Sequence, residues 1–212
     1  MTAAESHEFS GAKGRFFAWF LTSPMRRVLE WKMGRPEERL LALLQLTGDE
    51  QVLDAGCGSG FHSLLIARAL PEGRVTAVDI SPEMLERLSR NAKAQGLSDR
   101  IEVLRADGLR LPLPDGSADR AISAAVWHHL DDPQGACNEL ARTLKPGGRA
   151  VVSDLLVQPD IKAVRGLDGH DRAFGADDMR TIMERAGLIN IEVEVLGSWV
   201  IGAGEKPTEG RS

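Results

Sequence analysis

Val52-Leu53-Asp54-Ala55-Gly56-Cys57-Gly58-Ser59-Gly60 is the stretch from which the fold can be read. A short apolar run of buried-strand character closes on an acid, and three glycines then alternate into the start of a helix. Glycine permits positive φ and lets the backbone approach a ligand with no Cβ in the way. The helix that follows has N–H groups without partners in its first turn, and these suit a carboxylate or a phosphate. In open α/β sheets such a loop lies at the carboxyl ends of the strands, near the point where strand order reverses.

The flanking sequence continues the alternation. Residues 51–54, 74–80, 101–106, 120–126 and 149–155 read as buried strands, rich in Val, Ile, Leu and Ala. Residues 60–70, 82–95 and 133–144 read as helices. Ser81-Pro82 is an N-cap followed by proline at the first helical position, where a missing N–H costs nothing. Pro71-Glu72-Gly73 and Lys145-Pro146-Gly147-Gly148 end helices and turn into strands. This spacing predicts βαβ units and a doubly wound parallel sheet with helices on both faces. A further helix is expected over 176–186. Two strand-like runs follow, 189–195 and 198–203, separated by little more than Gly197 and therefore expected to pair as an antiparallel hairpin.

Composition limits the function classes. The chain has 212 residues, 42% of them hydrophobic and 27% charged, which is ordinary globular usage for about one domain. Its 26 Lys and Arg against 31 Asp and Glu leave a net charge of −5, which disfavours a phosphate backbone as partner, so no nucleic acid is expected. The two cysteines, Cys57 and Cys137, lie far apart, which argues against a disulfide scaffold or a zinc site; no metal is expected, and a cytoplasmic location fits. The polar start carrying Glu5 and Glu8 is unlike a secretory signal, and no apolar run reaches the roughly 18–20 residues of a spanning helix.

The glycine loop has two readings. A dinucleotide fold wants G-x-G-x-x-G, but the third position is Phe61 counted from Gly56 and Ser63 counted from Gly58. Asp79 ends the second strand nineteen residues beyond Gly60, where a carboxylate accepts ribose hydroxyls, and Asp107-Gly108 closes the third. Together Asp54, Gly56, Gly58, Gly60, Asp79 and Asp107 resemble the class I S-adenosylmethionine-dependent methyltransferases. Further pieces match that family in order: Leu111-Pro112-Leu113-Pro114-Asp115-Gly116-Ser117-Ala118-Asp119, Trp127-His128-His129-Leu130-Asp131-Asp132-Pro133, Leu144-Lys145-Pro146-Gly147-Gly148 and Ala186-Gly187-Leu188. The overall pattern is most similar to the methyltransferase type 11 branch that includes the ubiquinone and menaquinone biosynthesis enzymes.

The resemblance implies a Rossmann-like seven-strand sheet, six strands parallel and the last antiparallel, with an N-terminal helical cap. It implies S-adenosyl-L-methionine as cofactor, cradled by Gly56, Cys57, Gly58 and Gly60, with Asp54 supporting the loop and the cofactor amine. Asp79 is expected to hold the ribose, Ile80 and Met84 to flank the adenine, and Ala106, Asp107 and Gly108 to read its edge, with Val126 alongside. Each acid has a plainer alternative as a strand-end carboxylate facing solvent. His128 and His129 follow the fourth strand at its carboxyl end, where either serves as a general base or as a helix-start histidine bonded to backbone. His62 reads as structural, and His170 falls in the link 157–175. No Asn/Asp-Pro-Pro-aromatic run follows the fourth strand, which disfavours DNA adenine methylation, and the lack of a third thiol disfavours arsenite methylation.

The first forty residues differ from the rest. Six of the ten aromatic residues lie in the first 31 positions, and six basic residues against the single acid Glu30 lie between Lys13 and Arg35. Phe16, Phe17, Trp19 and Phe20, with Trp127 and His128, are the expected substrate pocket. Residues 1–40 are expected to form a helical lid, 41–205 the cofactor-binding domain and 206–212 a flexible tail. The aromatic-plus-basic segment 13–35 also suits a peripheral contact with the inner, anionic membrane face. The expectation is methyl transfer to a small apolar or amphiphilic acceptor. The alternatives are a phospholipid N-methyltransferase and a non-catalytic cofactor-binding partner, and the oligomeric state is open.

Overall fold

The computed structural model describes residues 36–156 and 174–208. Helix α1 (Pro36–Leu44) leads into β1 (Gln51–Ala55), α2 (Phe61–Ala69), β2 (Arg74–Asp79), α3 (Pro82–Ala94) and β3 (Ile101–Arg105). The second half runs β4 (Ala118–Ala124), α4 (Pro133–Thr143), β5 (Leu144–Leu155), α5 (Ala176–Arg185), β6 (Ile189–Leu196) and β7 (Trp199–Glu205). The seven strands form one sheet in the order β3-β2-β1-β4-β5-β7-β6. The pairs from β3 across to β5 are parallel, and β7 inserts antiparallel to both β5 and β6. This is the expected doubly wound sheet with one antiparallel strand, and the strand order reverses between β1 and β4.

Two layers of side chains cover the sheet. On one face Leu40, Leu43 and Leu44 of α1, Leu64, Ile66 and Ala67 of α2 and Leu85 and Leu88 of α3 pack on Val52, Ile122, Val151 and Ile201. On the other, Cys137 and Leu140 of α4 and Met179 and Met183 of α5 pack on Leu53, Ala121, Val152 and Val200. Consecutive strand residues fall to opposite layers because a strand has a two-residue side-chain period. Helix α1 crosses the expected domain boundary at residue 40 and joins the core through its leucines.

Three differences from the sequence expectations have physical causes. Strand β4 stops at Ala124, because Ala125 takes φ 58 and turns the chain out of the sheet. The segment 145–148 does not precede β5 but bulges within it: Ala118 pairs with Leu144, and pairing resumes at Arg120 with Arg149. Lys206, expected in a flexible tail, belongs to this edge. It exchanges backbone hydrogen bonds with Gly147 and Gly148 (2.9 and 2.8 Å), and its Nζ donates to the Leu144 carbonyl (2.7 Å).

At the same amino end of β5, the buried Arg149 ties three elements together. Its Nε donates to the Leu43 carbonyl (2.8 Å), and its two terminal nitrogens donate to Glu205 and Glu192 (2.9 Å each). Arg149→Met should destabilise the protein by about 1–3 kcal/mol, the range for breaking a buried charge-assisted network whose acid partners can reach water. Urea denaturation checks this; an unchanged midpoint would mean that the Arg149 network adds nothing to the packing of α1.

Candidate active site

The carboxyl edge of the parallel strands gathers the expected cofactor residues. Gly56 and Cys57 both donate their backbone N–H to the Val78 carbonyl (2.8 and 3.0 Å), which ties the loop after β1 to the end of β2. Asp79 continues the tie: its Oδ2 accepts from Gly58 N (2.8 Å) and its Oδ1 from Ser81 N (2.9 Å). The Ser81 hydroxyl caps α3 by accepting from Met84 N (3.3 Å), which fixes Met84 beside Ile80 and Asp79. Ala106 N donates to the Asp79 carbonyl (3.1 Å), and Asp107 Oδ1 accepts from Leu109 N (2.9 Å), so the β3 end joins the same edge.

The glycines of the loop are needed for different reasons. A Cβ on Gly60 would lie 2.1 Å from Leu88 Cδ1, and one on Gly56 would lie 2.4 Å from Val126 Cγ2. Those two let α3 and the segment after β4 close against the loop. Gly58 and Gly108 instead face open space, with nothing within 4 Å of a Cβ placed there. Asp79 and Asp107 flank those two openings. A cradle with bare backbone and carboxylates that can accept from hydroxyl and ammonium groups fits S-adenosylmethionine.

Asp54 lies buried beneath the loop and accepts a hydrogen bond from Ser63 Oγ (2.5 Å). Burial pushes its carboxyl up to about 7, against the Ser63 hydrogen bond and with the help of the Asp79 charge. Burial likewise raises Asp79, against the N–H groups of Ser81 and Gly58. The Cys57 thiol is also pushed up by burial, with Asp54 and Asp79 adding to the shift, so it is no nucleophile.

The segment after β4 carries the second half of the site. Ala125 is left-handed, its N–H donates to the Ser153 carbonyl (2.8 Å), and the chain then enters the short turn Trp127–His129. Asp154 on β5, 0% exposed, holds that turn. Its Oδ2 accepts from the backbone N of Trp127 (2.7 Å) and of His128 (3.2 Å). Its Oδ1 accepts from Leu155 N (2.7 Å) and lies 2.7 Å from His128 Nδ1. A carboxylate only accepts, so Nδ1 is the donor in this pair, and in the neutral ring Nε2 then keeps its lone pair. His128 is 8% exposed, and the His129 ring lies against it at a centroid distance of 3.8 Å.

Asp154 was not singled out from the sequence, although an acid inside the apolar run Ala150-Val151-Val152-Ser153-Asp154-Leu155 was the available signal. Trp127, expected on the pocket wall, is only 1% exposed and meets Phe174 edge-on at 6.2 Å, because Asp154 draws its backbone inward. Phe16, Phe17, Trp19, Phe20, His170, the segment 13–35 and most of the link 157–175 lie outside the described residues. Among the described residues no three His, Cys, Asp or Glu side chains gather as a metal site, and no helix is long and apolar enough to cross a membrane.

Comparison with known proteins identifies the family. A family model described as "Methyltransferase domain" matches residues 53–152. The chain is 34% identical over 168 residues to 27-O-demethylrifamycin SV methyltransferase of Amycolatopsis mediterranei, covering 76% of this chain and 61% of that protein. It is 30% identical over 185 residues to demethylmenaquinone methyltransferase of Thermus thermophilus, covering 74% and 83%. The crystal structure of an S-adenosylmethionine-dependent methyltransferase from Aquifex aeolicus superposes with a TM-score of 0.72 at 25% identity, covering 90% of this chain and 96% of that one. The chain spans 61% and 60% of the first two curated relatives it matches.

A carboxyl whose pKa rises from 3.8 to about 7 on folding stabilises the folded state below pH 4, and that contribution is lost as pH rises toward 7. Asp54→Asn should therefore flatten the decline in stability between about pH 4 and pH 7, as read by urea midpoints at successive pH values. Separately, Ala125 pays for a left-handed φ, so Ala125→Gly should stabilise by about 1 kcal/mol and Ala125→Val should destabilise. Thermal unfolding of the pair checks the sign.

Proposed function

The chain belongs to the S-adenosylmethionine-dependent methyltransferases, and from that premise we propose that it methylates a small apolar or amphiphilic acceptor whose proton passes to His128. The observation that carries the reading is the buried Asp154–His128 pair beside the glycine loop. The relatives named for 27-O-demethylrifamycin SV and demethylmenaquinone support a small organic acceptor. S-adenosylmethionine, when bound, supplies a methyl group on a positively charged sulfur.

The residues of this chain divide the remaining work. The open backbone at Gly58 lets the donor approach the loop, with Asp79 and Asp107 as acceptors for its hydroxyl and amine groups. Asp54 and Asp79 lie beneath that loop, and their ionised forms favour a cationic ligand over a neutral one. Asp154 holds His128 Nδ1–H, so Nε2 can take the proton from an acceptor hydroxyl or amine as that atom attacks. The imidazolium that results is stabilised by the same carboxylate, following the logic of an oriented histidine base. Alignment of acceptor and donor supplies the larger part of the acceleration, since a displacement at methyl needs geometry more than charge.

The test incubates purified protein with methyl-labelled S-adenosylmethionine and an extract of the source cells, then partitions the label. Label in the organic phase supports the reading, whereas label only in precipitated macromolecule, or no transfer at all, overturns it. His128→Asn and Asp154→Asn should each lower kcat/KM about 10²–10⁴-fold. Both should leave S-adenosylhomocysteine binding within about twofold, whereas Asp79→Ala should abolish it.

A further inference from the structure

Four buried side-chain atoms among the described residues have no hydrogen-bond partner: Trp127 Nε1, Gln134 Oε1, Ser153 Oγ and Trp199 Nε1. Buried polar atoms are nearly always satisfied, so each orphan needs a cause, such as a ligand or a bound water. Two of the four belong to adjacent strands and one face of the sheet. Val151 faces the layer of α1, α2 and α3, so strand alternation turns Ser153 toward the same layer. On the adjacent β7, Ile201 and Trp199 pack into that layer as well. The register sets Ser153 opposite Ile201 and Leu155 opposite Trp199. Ser153 and Trp199 are thus diagonal neighbours on one sheet face, a separation that an aromatic side chain spans.

Their position ties them to the reaction edge. Ser153 pairs with Ala124, the last residue of β4, and its carbonyl accepts from the strained Ala125 that begins the turn to His128. Asp154, next along β5, faces the opposite layer and holds that histidine. One strand end therefore presents the proton-accepting pair on one face and two orphan donors on the other. Trp199 is half-buried while its Nε1 is fully buried, so its ring reaches from the surface down to the donor.

We infer that Ser153 Oγ and Trp199 Nε1 form an anchor for an uncharged carbonyl-type oxygen on the methyl acceptor, remote from the atom that is methylated. An indole nitrogen donates only, and a serine hydroxyl donates when offered a lone pair, so the pair matches an oxygen with two lone pairs. A charged oxygen is disfavoured there, since a buried charge needs a paired countercharge, and Arg39, which meets this face through Glu194 opposite Ile201, is already engaged by that Glu194. The assignment of the occupant as the methyl acceptor rests on the methyl-transfer reading; the affinity for a carbonyl does not.

Indole N–H signals in a ¹H–¹⁵N spectrum of the full chain, saturated with S-adenosylhomocysteine, test the anchor. The probes are 1-tetralone and tetralin, which share a carbon skeleton and differ by one carbonyl. The Trp199 signal, identified by its loss in Trp199→Phe, should move downfield with 1-tetralone and stay in place with tetralin. Ser153→Ala should weaken 1-tetralone binding about tenfold, the effect of losing one well-made hydrogen bond in a dry site. A Trp199 signal unmoved by the ketone, or moved equally by both probes, overturns the anchor. So does a Ser153→Ala protein that binds the ketone as the native protein does, which would leave a bound water as the partner. The native-protein comparison stands even where that variant folds poorly. Failure of S-adenosylhomocysteine to shift the Gly58 amide would count against the methyl-transfer reading alone, because the two probes still report on the anchor without it.

Discussion

Where parallel strands stop, the backbone N–H groups just beyond them lose their ladder partners, and this protein satisfies many of them with side-chain carboxylates. Asp79 takes the N–H groups of Gly58 and Ser81, Asp107 that of Leu109, and Asp154 those of Trp127, His128 and Leu155. The shape of each connecting loop is set by these bonds. They hold the glycine loop, the start of α3 and the turn that carries His128 at one edge. An acid at a strand end is thus a structural clamp first, and its unused lone pairs are what remain for a ligand.

The clamps also explain where the site is tense. Burial shifts Asp54 and Asp79 upward, so a negative charge beneath the loop is costly in the free protein. A cationic ligand relieves that state, which links cofactor charge to the electrostatics of the loop beneath it. Ala125 stores a smaller strain in a left-handed backbone, and the turn it begins is the one that Asp154 locks. Such strain persists only where neighbouring bonds over-determine the geometry, and here they place the histidine.

Much of this was legible in the chain. The strand and helix alternation, the punctuation at Ser81-Pro82 and the acids at 54, 79 and 107 mark the cofactor half, because its determinants are local in sequence. The other half is less local. Trp127 reads as a pocket wall from its place after β4, yet its backbone bond to a carboxylate 27 residues away draws it into the core. The segment 145–148 reads as a turn, but cross-strand pairing on either side of it, with Lys206 closing the edge, makes it a bulge.

Residue order alone settled the strand–helix alternation of a doubly wound sheet and the glycine loop with its acids, since hydrophobic period and backbone conformation act over a few neighbouring residues. It left undetermined which partner completes His128 and which donors share a sheet face. Those depend on strand order and register: β5 must lie beside β4 for Asp154 to reach the histidine, and β7 must insert beside β5 for Trp199 to neighbour Ser153. Pairings between distant segments are chosen by packing of the whole sheet, and no local pattern encodes them.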